Sequence, residues 1–134
     1  MGLLDIFKST GNGQFVSDRE FKKNLARQVE LAPETLKLLK NYGVSDDSEL
    51  KLEFFFYAKT EDKAQILADA LKKLNYDVEF GKSAGDKKLF IISGWTIKMK
   101  MDDWTVQSWA KEMCELGYKF DCDFDGWGTT PNQD

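Results

Sequence analysis

The feature that most constrains this chain is a pattern that it states twice. A helix cap at Thr60 is followed by an apolar stripe at Ala64, Leu67, Ala68, Leu71 and Leu74, then by alternation at Tyr76, Val78 and Phe80. Forty-two residues on, the same places hold Asp102, then Val106, Trp109, Ala110, Met113 and Leu116, then Tyr118, Phe120 and Cys122. Apolar residues at helical spacing must bury one face, and alternation with polar neighbours marks a half-buried strand. Identity between the halves is low, so the repeat is one of architecture, without a claim of gene duplication.

The remaining segments complete each half. Leu50–Lys59 (LKLEFFFYAK) is a strand by its aromatic density. Gly85-Asp86 makes a hairpin turn into a third strand over 87–100, with Gly94 as its expected bulge. Upstream, Ser17 or Asp18 caps a helix carrying Phe21, Leu25 and Val29; Pro33 suits the first turn of its continuation, with Leu36 and Leu39 on one face and Gly43 as the stop.

The order is therefore a helix followed by β-α-β-β-α-β. That predicts an α+β, ferredoxin-like domain, with two helices on one face of a four-stranded antiparallel sheet in the order 4-1-3-2. The runs Phe54-Phe55-Phe56-Tyr57 and Leu89-Phe90-Ile91-Ile92 suit central strands, and the alternating segments suit edges. Residues 18–130, including the helix over 18–42, form the expected single domain. A flexible segment, 1–17, precedes it, with Met1–Phe7 either a docking element or a frayed end, and 131–134 is a tail. Phe55, Tyr57, Phe90 and Ile92 are the expected open-face residues, covered by the first helix or by a protein partner.

Composition excludes several functions. The 134 residues include no histidine, which removes the usual neutral-pH proton shuttle and every Ser-His or Cys-His pair. No glycine-rich phosphate loop occurs, and Cys114 and Cys122 fall at core positions, so no catalytic residue or cofactor is expected. No apolar run approaches the ~20 residues of a membrane span, no secretory signal is apparent, and cytoplasm is the expected location. The net charge is −4, with −6 in residues 102–134 and +2 elsewhere. Such a balance favours a basic partner over nucleic-acid phosphates, and base-stacking aromatics would need cations around them.

The densest acid lies in the last strand. Asp121, Asp123 and Asp125 alternate with Phe120, Cys122 and Phe124, which predicts three carboxylates on one strand face. They are either a solvated edge that discourages aggregation or a site for a basic partner. An extended strand holds them too far apart to converge on a metal. After them, Gly126 and Gly128 permit a sharp exit from the sheet, and Trp127 folds back as a plug or faces a partner.

The closing segment Asp125-Gly126-Trp127-Gly128-Thr129 resembles the bacterial regulator of ribonuclease E activity B family. The likeness extends over about residues 18–130, through the first helix and the Leu116-Gly117-Tyr118 approach to the last strand. It implies a small acidic protein of ferredoxin-like fold that binds ribonuclease E, inhibits its cleavage and alters RNA decay. Asp121, Asp123, Asp125, Trp127 and Thr129 are then the expected partner contacts, with Gly126 and Gly128 structural. An acidic binding module of immunity or adaptor type, with an unrelated client, is the alternative.

Overall fold

A computed structural model describes residues 14–133. Most of the expected flexible segment 1–17, including Met1–Phe7, lies outside the described residues. The elements run α1 (Asp18–Leu39), β1 (Glu49–Leu50), β2 (Glu53–Ala58), α2 (Glu61–Lys72), β3 (Asp77–Lys82), β4 (Phe90–Trp95), β5 (Met99–Lys100), α3 (Asp103–Lys119) and β6 (Asp123–Gly128).

Each helix starts where its cap requires. Ser17 and Glu20 form a reciprocal capping box on α1. The Thr60 hydroxyl accepts from the Lys63 N–H, and the Asp102 carboxylate accepts from the Thr105 N–H at 2.7 Å. Pro33 does not break the first helix; α1 continues through it, as expected. Proline has no N–H to give the Val29 carbonyl one turn back. Gln107 of α3 supplies the missing donor, its Nε2 lying 2.9 Å from that oxygen.

The sheet is antiparallel throughout, in the order β3-β4-β2-β6, and a separate two-stranded ladder joins β1 to β5. Helices α2 and α3 bury their stripes against one face of the larger sheet. Ala64, Leu67, Ala68, Leu71, Val106 and Trp109 meet Phe54, Phe56, Ile92 and Phe124 in a single apolar core. The class is α+β, with three α-helices and two antiparallel sheets among the described residues.

Several expectations need correction. The strands expected over 50–59 and 87–100 each divide in two. Leu52 and Thr96 cross-link at the break, through Thr96 N–H to Leu52 O and Leu52 N–H to Thr96 Oγ1, both 2.9 Å. Gly94 is not a bulge; it pairs in unbroken register with Phe54 and Val78. It is glycine because a Cβ there would stand 1.8 Å from the Asp77 carbonyl oxygen. The bulge lies instead where β6 meets β2, between Phe55 and Phe56, with Asp125 as the extra residue.

The fourth strand also starts later than expected. Tyr118 and Lys119 remain in α3, where the Tyr118 ring stacks on Phe21 at 4.3 Å. That stacking and the Gln107–Val29 contact set α1 antiparallel to α3. Helix α1 thus lies along α3 and the outer edge of β6, and does not cover the open sheet face as expected. Ile92 is fully buried under the helices and Phe90, two residues earlier on the same face, packs against that core, so neither takes its expected open-side place and Ile91 stands there instead.

Candidate protein interface

The three aspartates do not share one strand face. Asp121 sits in the turn before β6, in left-handed backbone geometry with φ +57°. Its N–H bonds the Tyr118 carbonyl, and the Cys122 N–H bonds the Gly117 carbonyl, the Schellman ending of a helix. Gly117 permits this close turn, since a Cβ there would meet the Cys122 carbonyl oxygen at 2.7 Å. The Asp121 carboxylate accepts from the Phe15 and Val16 N–H groups at 2.8 Å and pairs with Lys63. It binds the start of the described chain to the end of α3.

Asp123 and Asp125 are different. Neither side chain has an ion pair or hydrogen bond among the described residues. Asp123 is half-buried and its carboxyl is pushed up, first by burial, then by Asp125 and Glu20, with Arg27 opposing. It closes one side of a cleft of about 320 Å³ between α1 and β6, whose walls also carry Glu20, Lys23 and Arg27.

The outer edge of β6 is sealed by amides. Asn24 Nδ2 donates to the Phe124 carbonyl at 2.7 Å, and Gln28 Nε2 donates to the Asp125 carbonyl at 3.2 Å. Free carbonyls on an edge strand invite pairing with another chain, and these two are taken.

The Gly-Trp-Gly segment alternates across the sheet. Trp127 pairs with Phe54 and points under the helices, its ring edge-on to Trp109 at 6.2 Å. Gly126 and Gly128 pair with Phe55 and Glu53 on the open side. Gly126 needs its φ of +153°, whereas Gly128 has nothing within 4 Å of where a Cβ would stand. The Thr129 hydroxyl donates to the Lys51 carbonyl at 2.8 Å and pins the exit from β6.

No helix covers the other face of the sheet among the described residues. Reading from β3 to β6, the first row is Asp77, Trp95, Glu53 and Gly128; the second is Glu79, Ser93, Phe55 and Gly126; the third is Gly81, Ile91, Tyr57 and Asp123. An apolar centre of Trp95, Phe55, Ile91 and Tyr57 therefore has carboxylates around it and no lysine or arginine within the rows.

Sequence reasoning located Phe55, Tyr57 and Asp123 but missed Trp95, Asp77, Glu79 and Glu53. It also missed Gln28, a polar residue on the α1 stripe between Phe21, Leu25 and Ala32, and that interruption was the available signal. Chemistry at the thiols is suppressed: burial pushes Cys114 and Cys122 up to about 12. The described residues hold no group of three or more Asp, Glu or Cys side chains placed to bind a metal. No helix among them is long and apolar enough to cross a membrane.

Comparison with curated proteins gives no match. A family profile, Regulator of ribonuclease activity B, matches residues 31–129, from the middle of α1 through every strand to the closing Gly-Trp-Gly-Thr segment. With most of its length inside that match, the chain belongs to the regulator of ribonuclease activity B family.

Proposed function

We infer that the chain is a non-catalytic regulator that binds a ribonuclease of the ribonuclease E type and restrains its cleavage of RNA. The observation that carries this reading is the family match over residues 31–129. The uncovered, acid-bounded sheet face and the lack of histidine support it. The β2-α2-β3-β4-α3-β6 order supports reading the domain as ferredoxin-like, with α1 and the β1-β5 ladder as additions. Cytoplasm, where such a nuclease meets its RNA, is the corresponding location.

Within this reading the residues divide. Asp123 and Asp125 carry unanswered charge toward a basic partner, and Gly126 and Gly128 keep their side of the face flat. Asp121, Trp127 and Thr129 hold the scaffold. Direct RNA binding is disfavoured, because phosphates would meet carboxylates where cations are needed.

The test joins purified chain with ribonuclease E from the same host, measuring association and the cleavage rate of a fluorescent RNA. Binding with slowed cleavage supports the reading. Absence of both, with a different protein captured stoichiometrically from the host, would establish the adaptor alternative.

A further inference from the structure

The first row of the open face places an indole between two carboxylates. Asp77 and Glu53 stand directly across from Trp95 on its two neighbouring strands. Such pairs hold their Cβ atoms about 4.5–5.5 Å apart. Glu79 lies two residues further along β3 on the same face. A shallow recess of about 280 Å³ opens here, lined by Asp77, Val78, Glu79, Gly94 and Trp95. None of the three carboxylates has a hydrogen bond or ion pair among the described residues.

We propose that this recess seats an arginine side chain of the regulated protein, its guanidinium stacked on the Trp95 indole and its N–H groups directed to the flanking carboxylates. The chemistry selects arginine. A guanidinium is planar, weakly hydrated and carries five donors, so it can stack and bridge two acids at once. An ammonium is compact and strongly hydrated, and gains less from the ring. Phe55, Ile91 and Tyr57 continue the apolar surface for the residues beside that arginine. Gly128 leaves the far end of the row clear. The inference rests on reading the chain as a protein-binding ribonuclease regulator, and names the contact which that reading leaves open.

Isotope-labelled full chain is titrated with a synthetic dodecamer of alternating arginine and leucine, with its lysine and citrulline counterparts, and with single-stranded RNA. The arginine peptide should move the Trp95 indole signal and the amides of Asp77, Glu79 and Phe55. The uncharged citrulline peptide should bind at least about tenfold more weakly, with lysine between them. Asp77→Asn combined with Glu79→Gln, both exposed, should weaken the arginine peptide about tenfold at low salt and less at high salt. A footprint on the exposed residues Leu31 and Leu38 of α1 and Tyr42 just beyond it, equal binding of the citrulline peptide, a footprint of RNA on this face, or no footprint at all overturns the arginine seat.

Ribonuclease E separates this inference from the reading beneath it. Parent and double variant binding the nuclease equally would remove the seat and leave the regulator reading standing. An arginine peptide seated at Trp95, with no affinity for the nuclease, would do the reverse.

Discussion

Replacing Asp121 tests whether the densest acid of the sequence serves the scaffold or the partner. Two variants isolate the contributions. Asp121→Asn keeps a residue that tolerates the φ of +57° but removes the charge. Asp121→Gly relieves the left-handed backbone and removes the side chain altogether. The carboxylate accepts from two backbone N–H groups at 2.8 Å and pairs with Lys63, and its side chain is only 17% exposed. Hydrogen bonds to a charged group contribute about 1.5–3 kcal/mol each, less whatever water recovers when residues 15–16 peel away. A loss of about 2–4 kcal/mol follows for Asp121→Asn. Asp121→Gly should fall near the lower end, since glycine recovers part of the backbone cost. At roughly 3–5 °C per kcal/mol for a domain of this size, melting should drop by at least about 6 °C. Exchange of the Phe15 and Val16 amides should accelerate. At temperatures where the Asn variant remains folded, its partner affinity should equal the parent's. Unchanged melting and exchange together with weakened binding would refute the argument and return Asp121 to the contact surface.

Gly94→Ala should cost more than 3 kcal/mol or prevent folding, because its Cβ would stand 1.8 Å from a backbone oxygen that cannot move alone; urea titration measures it. Gln107→Leu should lose about 1–2 kcal/mol by orphaning the Val29 carbonyl above Pro33, read by the same titration. Asp123→Asn should be more stable than the parent at neutral pH. The parent carboxyl is raised in the fold by burial, Asp125 and Glu20, so its relative stability is full in acid and is lost as pH rises through the folded value. The advantage of the Asn variant should accordingly vanish in acid, which melting curves across pH would show. Trp127→Ala should cost about 2–3 kcal/mol as a half-buried truncation, whereas Gly128→Ala should melt like the parent and bind its partner less well.

Helical features were readable in the sequence because the 3.6-residue period leaves little choice of face. The caps Ser17, Thr60 and Asp102 and the stripes of α2 and α3 stand where their spacing put them, except that α2 ends at Lys72 and leaves Leu74 beyond it and exposed. Strand faces were less legible. In Leu89-Phe90-Ile91-Ile92 every residue is apolar, so nothing in the run says which isoleucine is buried, and a one-residue slip exchanges the faces. The Asp121-Asp123-Asp125 alternation imitated a strand, although its first member belongs to a helix ending. Deciding that required the close approach of Gly117 to Cys122, a contact with no periodic signature. Gln107 and Asn24 were invisible for a related reason: each answers a carbonyl far away in sequence, orphaned by Pro33 or by the edge of β6.

The closing Asp-Gly-Trp-Gly-Thr segment acquires its meaning from the two faces it divides. Strand alternation sends Trp127 inward against Trp109 and leaves its flanking glycines beside Phe55 and Glu53. A Cβ at 128 would meet no atom of the described residues within 4 Å, so the fold around it does not demand glycine there. Meanwhile Asn24 and Gln28 occupy the carbonyls at the edge of β6, which closes that side to strand addition. A partner approaching from the open side therefore meets side chains: four apolar groups at the centre and carboxylates at the margins. Recognition of that kind depends on matching charge and shape, which is what the proposed role as a nuclease-binding regulator calls for.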